Sequence, residues 1–92
     1  MNKVLVTDPI SEEGKKILLE SSIEVIDASD KNLEDIDLTQ INGWIIRSGT
    51  TITSDLIKKA TNLKVIGRAG VGVDNIDINA ATLNGVLVMN TP

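Results

Sequence analysis

Five short runs of aliphatic, mostly β-branched residues recur along this 92-residue chain, and polar segments with helical periodicity separate them. Runs that are apolar on both faces are typical of parallel strands covered by helices on either side. Strands that alternate with helices are joined by right-handed crossovers. The pattern predicts an α/β fold, a flavodoxin-like three-layer parallel sheet with strand order 2-1-3-4-5. The predicted strands cover residues 3–7, 23–26, 43–46, 63–66 and 86–89.

Three of the intervening segments carry helix signals. Each begins at a residue whose side-chain oxygen can accept a hydrogen bond from the first turn of a helix. Asn84-Gly85 provides a left-handed ending for the last of the three. The predicted caps are Ser11, Thr53 and either Asp74 or Asn75, for helices over residues 12–18, 54–60 and 76–83.

The acidic stretch between the second and third strands has a weaker pattern. Residues 27–37 are predicted to form a loop or a weak helical turn, anchored by Leu33, Ile36 and Ile41. At the other end, the fifth strand is followed only by Asn90-Thr91-Pro92. We therefore expect the closing C-terminal helix of the sheet to be missing and the fold to be incomplete.

Composition excludes several classes of function. A net charge of −4 gives no basis for binding nucleic acid or an anionic membrane. The absence of Cys and His removes thiolate metal sites, the commonest general base and the commonest metal ligand. No apolar run approaches the roughly 18 residues of a membrane span. These observations predict a cytoplasmic protein that has no metal site of its own.

Arginine is scarce, since the chain has seven lysines but only Arg47 and Arg68. Both directly follow a predicted strand, at the edge where doubly wound sheets bind ligands. A guanidinium fork matches a carboxylate or phosphate in a way that lysine cannot reproduce. Arg47 and Arg68 are therefore candidate anion ligands, and Ser48 offers a hydroxyl beside them. The alternative is that the arginines form structural ion pairs with the surplus acids.

A glycine-rich segment, residues 67–72, follows the fourth predicted strand. Its spacing, Gly67-x-x-Gly70-x-Gly72, is the reverse of the dinucleotide fingerprint G-x-G-x-x-G, and it lacks the Gly-Lys-Ser/Thr of a Walker loop. Glycines still let backbone N–H groups approach an anion closely. The segment is thus either an anion-binding turn or a simple tight turn between strand and helix.

Three segments together resemble the D-2-hydroxyacid dehydrogenase family. They read R-S-G-T-T-I-T at residues 47–53, I-G-R-A-G-V-G-V-D-N-I-D at 66–77 and N-G-V-L-V-M-N-T-P at 84–92. The opening K-V-L-V-T-D-P-I fits as well, so the resemblance covers the whole chain. Because it contains Arg68, the middle segment most resembles the phosphoglycerate branch of the family, which serves serine biosynthesis.

The resemblance implies a two-domain enzyme that oxidises a small anionic 2-hydroxy acid with NAD. Residues 1–92 would be part of its substrate-binding domain, in which the backbone around Gly70, Val71 and Gly72 holds the substrate carboxylate. Arg47 and Arg68 would hold the substrate phosphate. The nucleotide-binding domain and the catalytic Arg, Glu and His are expected elsewhere in the polypeptide. We therefore assign no catalytic, cofactor-binding or metal-binding residue here, expect the chain alone to be inactive, and expect the full-length enzyme to be a homo-oligomer.

Two other function classes fit the same alternation of strands and helices. A response-regulator receiver needs an acidic pair after its first strand, an Asp after its third and a Lys after its fifth. Here Asp8 stands alone, and Arg47 and Asn90 occupy the other two positions, so this class is rejected. The second alternative is a free-standing small-molecule or protein-binding α/β domain without enzymatic activity.

Overall fold

The computed structural model describes residues 3–9, 23–30, 32–69 and 74–91. They form five strands and two α-helices, with two short 3-10 helices between the second and third strands. The strands are β1 (Lys3–Val6), β2 (Glu24–Asp27), β3 (Gly43–Ile46), β4 (Val65–Ala69) and β5 (Leu87–Thr91). The α-helices are α1 (Ser54–Lys59) and α2 (Ile78–Leu83), and the 3-10 helices are Leu33–Asp35 and Leu38–Gln40.

All five strands belong to one parallel sheet with the order β2-β1-β3-β4-β5. The predicted α/β class and flavodoxin-like strand order are therefore confirmed. In this order β1 and β3 are neighbours whose connections leave in opposite directions along the sheet. Their carboxyl ends form the switch point at which doubly wound sheets bind ligands.

One row of apolar side chains crosses the sheet and forms its core face. The register places these residues side by side on successive strands, and each belongs to or packs against the buried core. Helices α1 and α2 cover this face, with Ile57, Ala60, Ala80 and Ala81 buried against it. The row consists of Ile26, Leu5, Trp44, Ile66 and Val88.

The opposite face of the sheet is apolar but less covered. Val65 and Leu87 are paired in register there, and Gly67 and Met89 form the next pair. Leu87 is 61% exposed and Met89 is 52% exposed. The helix predicted over residues 12–18 lies outside the described residues, so the prediction of helices on both faces is tested only on the face that α1 and α2 cover.

The helix ends follow local signals, with one correction. Thr53 caps α1 as predicted, because its hydroxyl accepts a hydrogen bond from the N–H of Leu56 at 3.4 Å. Gly85 ends α2 with a φ of 70°, in the left-handed region that glycine favours. The prediction that Asp74 or Asn75 caps α2 is wrong, since the cap is Asp77.

The cap is Asp77 because of a contact between residues that are distant in the sequence. Ile76 forms a parallel bridge with Ile52, and the N–H of Asp77 donates to the carbonyl of Ile52 at 3.0 Å. This bridge keeps the backbone extended as far as Asp77. The carboxylate of Asp77 then accepts from the N–H of Ala80 at 3.0 Å, and the helix starts there.

Strand β4 is longer at its carboxyl end than predicted. The prediction ended it at Ile66, whereas it continues to Ala69 because β3 and β5 on either side provide partners for its backbone. Gly67 pairs with both Ile45 and Met89 and is a strand residue. Strand β5 extends to Thr91 for the same reason.

The acidic connection contains the weak helical turns that its sequence indicates. Ile41 is fully buried, while Leu33 and Ile36 are partly buried against the core, as the prediction of these anchors requires. Asp37 caps the second 3-10 helix, and hydrogen bonds from the hydroxyl and N–H of Thr39 lower the pKa of its carboxyl. No helix in the described ranges is long and apolar enough to cross a membrane.

The buried row predicts a large contrast between two aliphatic truncations. Ile66→Ala should lower the free energy of unfolding by about 2–5 kcal/mol, because it leaves a cavity in a fully buried position. Leu83→Ala, at a position that is 86% exposed, should change it by less than about 0.5 kcal/mol. Urea unfolding followed by the fluorescence of the single Trp measures both, and equal losses would contradict this core.

Candidate functional site

The segment from Arg47 to Thr50 follows β3 at the carboxyl edge of the sheet. Arg47 comes directly after Ile46, the last residue of the strand, as predicted. Its side chain is exposed, and its Nη1 donates to the carbonyl of Pro9 at 3.4 Å. Ser48 is also exposed, whereas Thr50 is buried. The segment thus presents a guanidinium and a hydroxyl to solvent, and it is buried at Thr50.

Asp8 holds this segment from the β1 side. Its side chain is 6% exposed. One carboxylate oxygen accepts from the backbone N–H of Arg47 at 2.7 Å and from that of Thr50 at 3.0 Å. The other accepts from the hydroxyl of Thr50 at 2.7 Å. A buried carboxylate needs such donors to offset its lost hydration, so Asp8 and the segment stabilise each other.

Asn75 holds the same segment from the α2 side. Its Nδ2 donates to the carbonyl of Arg47 and to the carbonyl of Thr50, both at 2.7 Å. The backbone of these two residues is therefore bound by an acceptor through its N–H groups and by a donor through its C=O groups. We call Asp8 and Asn75 together the Arg47–Thr50 clamp.

A chain of hydrogen bonds connects the clamp to the core. The indole N–H of Trp44 donates to the hydroxyl of Thr7 at 2.9 Å, and the hydroxyl oxygens of Thr7 and Thr50 lie 2.9 Å apart. Because the Thr50 proton is directed at Asp8, the Thr7 hydroxyl donates to Thr50. The chain from indole to carboxylate is buried throughout, which fixes the site relative to the sheet.

Gly49 lies close to this carboxylate. A Cβ at this position would lie 2.7 Å from Oδ1 of Asp8, a distance that real Cβ atoms do not adopt. The third position of the R-S-G-T sequence thus favours glycine, because the loop packs closely against Asp8. Beside it, a polar cleft of about 590 Å³ opens at the carboxyl ends of β1 and β3, lined in part by Ser29, Asn32 and Thr51.

Arg68 lies within β4 and not after it, which corrects the prediction. It pairs with Ile46 on one side and Asn90 on the other, because β4 extends between its neighbours. The side chain is half-buried, and its Nε atom is enclosed. Since Arg47 is the next residue after Ile46 and adjacent strands lie about 5 Å apart, the two arginines leave the same edge as near neighbours.

The other three predicted site residues, Gly70, Val71 and Gly72, lie outside the described residues. The prediction that their backbone holds the substrate carboxylate therefore stays a prediction. Trp44 is fully buried and belongs to the core.

Sequence reasoning missed both residues of the clamp. Asp8 carried one usable signal, because a lone acid directly after a strand stands at the ligand-binding edge of the sheet. Asn75 carried none, since an Asn ahead of a helix is well explained as a cap. Its contact with the Arg47 carbonyl spans 28 residues and appears only in the folded chain.

The described residues do not form a dinucleotide or metal site. Gly67 belongs to β4, so the glycine segment does not open with a loop glycine that could receive a pyrophosphate. Within the described ranges, no group of three or more His, Cys, Asp or Glu side chains could hold a metal ion.

Comparison with known proteins gives a consistent set of relatives. The family described as D-isomer specific 2-hydroxyacid dehydrogenase, catalytic domain, matches residues 4–92. The whole chain is 52% identical to part of the D-3-phosphoglycerate dehydrogenase of Methanocaldococcus jannaschii and 47% identical to part of that of Bacillus subtilis. The chain spans only 18% of the length of each of these two relatives.

A solved structure is similar over the same extent. The crystal structure of NAD+-bound 3-phosphoglycerate dehydrogenase from Entamoeba histolytica matches 99% of this chain with a TM-score of 0.81 and 37% sequence identity. The match covers 33% of that protein. The similarity thus extends through the sheet and the edge that carries the clamp.

The buried carboxylate predicts a specific loss of stability. Asp8→Ala should lower the free energy of unfolding by about 2–4 kcal/mol, because the buried N–H and hydroxyl groups that it satisfies lose their acceptor. Asp30→Ala removes the same group from an exposed position and should cost less than about 0.5 kcal/mol. Denaturant unfolding measures both, and a neutral Asp8→Ala would disprove the role of the carboxylate.

Proposed function

Because this chain belongs to the D-isomer specific 2-hydroxyacid dehydrogenase family, we propose that it is the substrate-binding part of an NAD-dependent D-3-phosphoglycerate dehydrogenase. The observation that carries the proposal is the position of the two arginines. Arg47 follows β3, and Arg68 lies opposite Ile46 on the adjacent β4. Both therefore serve the ligand-binding edge of a doubly wound sheet.

The substrate carries two anionic groups, and the proposed site has two kinds of anchor. Arg47 and Arg68 offer forked, permanently charged donors, which suit the phosphate. The exposed hydroxyl of Ser48 adds a donor on the same segment. The backbone N–H groups of Val71 and Gly72, with Gly70 before them in the sequence, are proposed to hold the carboxylate.

The chemistry of oxidation belongs to another part of the polypeptide. The described residues do not fit NAD, and the chain spans less than a fifth of its curated relatives, so we assign NAD binding and catalysis to a separate domain. That remainder of the polypeptide is the main partner of this chain and is proposed to cover the sheet face at Leu87 and Met89. The intact enzyme is proposed to be a cytoplasmic homo-oligomer, in keeping with a sequence that has no Cys.

The first consequence concerns the chain by itself. The 92-residue chain should show no NAD-dependent oxidation of 3-phosphoglycerate and should bind NAD weakly or not at all, since its glycine segment has the wrong spacing for a dinucleotide. Absorbance of NADH and titration calorimetry measure the two properties. The same chain joined to its nucleotide-binding domain is the positive control. Turnover or micromolar NAD binding by the chain alone would contradict the assignment.

The second consequence concerns Arg68 in the full-length enzyme. Arg68→Lys keeps the charge and loses the fork, so kcat/KM for 3-phosphoglycerate should fall roughly 10- to 100-fold. A 2-hydroxy acid without phosphate should be affected much less. Lys64→Ala, a charge change just before the amino end of β4, serves as the control and should leave both substrates unaffected. Equal losses for the two substrates with Arg68→Lys would refute the assignment of Arg68 to the phosphate.

A further inference from the structure

Asp8 and Asn75 bind backbone groups of the segment that carries Arg47. We propose that they are positioning residues, which hold Arg47 in the place that substrate binding requires. This role rests on the proposed function of Arg47. Neither side chain is proposed to touch the substrate. Each acts on the peptide groups of Arg47 and Thr50, and so determines where the guanidinium begins.

The side chain of Arg47 is itself weakly held. It is exposed, and the hydrogen bond from its Nη1 to the carbonyl of Pro9 is long, at 3.4 Å. A long, exposed side chain retains much of its rotamer freedom. The backbone is therefore what limits the region that the guanidinium can reach, and the clamp fixes that backbone.

Asn75 adds a second constraint because of its place in the chain. It lies three residues after Gly72, in the segment that joins the glycines to α2. Its own carbonyl accepts from the N–H of Ile52 at 2.9 Å, which ties that segment to the residues just after the Arg47–Thr50 segment. Asn75 therefore links the Arg47–Thr50 segment to the segment that leads into α2.

The chemistry of the Asn75 side chain fits this linking role. A primary amide has two N–H groups on one nitrogen, and here they donate to the carbonyls of Arg47 and Thr50. The remaining oxygen, Oδ1, is buried and has no hydrogen-bond partner within the described residues. The role of Asn75 therefore rests on the two hydrogen bonds that its amide nitrogen donates.

The test compares steady-state kinetics of full-length variants with 3-phosphoglycerate. Asn75→Ala should raise KM roughly tenfold and leave kcat within about twofold, because the anchor is misplaced while the catalytic domain is intact. Asn75→Ser, which can reach at most one carbonyl, should give an intermediate KM and covers the case that the Ala variant does not fold. A merely structural role would reduce the amount of active enzyme, and so kcat, at unchanged KM.

The matched control is Asn62→Ala. Asn62 also donates from its amide to a backbone carbonyl, that of Thr39 at 2.7 Å, but it does so away from the arginines. This variant should leave KM unchanged. An equal rise in KM for Asn62→Ala would overturn the proposal, because the effect would then be general to such hydrogen bonds.

A double-mutant cycle separates positioning from direct contact. Arg47→Ala should raise KM on its own, and Asn75→Ala should add less than about twofold in that background, because the residue that it positions is gone. A full additional rise would mean that Asn75 acts independently of Arg47, and the positioning role would be wrong. The same cycle with Asp8→Asn, which keeps an acceptor, tests the other half of the clamp.

The cycle also distinguishes failure of this inference from failure of the proposed function. If Arg47→Ala raises KM and Asn75→Ala does not, the positioning role alone is wrong. If Arg47→Ala leaves KM unchanged, the anion-binding role of Arg47 and the positioning role that rests on it are both wrong.

Discussion

The buried carboxylate of Asp8 is the interaction on which the carboxyl edge of this sheet depends. A carboxylate that is 6% exposed must be offset by hydrogen bonds, and within the described residues its donors belong to Arg47 and Thr50, 39 and 42 residues later in the chain. The end of β1 and the segment after β3 are therefore fixed together. Because the order of the sheet makes these strands neighbours, the same bonds define the switch point at which ligands bind.

The core and the site are parts of one network. Trp44 lies in the middle of the apolar row that crosses all five strands. Its indole N–H donates to Thr7, and the series of hydrogen bonds that starts there ends on Asp8. A hydrogen-bonded chain inside a low-dielectric core is rigid when every member is satisfied. The tight packing of the sheet thus limits the movement of a loop whose first residues are exposed.

The uneven coverage of the sheet agrees with the proposed division of labour. Recognition elements stand at the carboxyl edge, the face under α1 and α2 is well buried, and Leu87 and Met89 on the opposite face are more than half exposed. Under the proposed function, the remainder of the polypeptide supplies both the cofactor site and the cover for that face. A substrate domain of this kind can fix where an anion binds and leave the oxidation to residues carried elsewhere.

The sequence by itself determined the features that depend on near neighbours. Apolar runs predicted the parallel sheet and its order, Thr53 and Gly85 predicted the ends of helices, and Arg47 was predicted beside the strand that it follows. The tertiary structure decided that β4 extends past Ile66 and that Asp77 caps α2. It also decided that Asp8 and Asn75 bind the same loop. These features depend on backbone groups that find partners on other elements, and such pairings have no local sequence signal because the partners meet only when the sheet has formed.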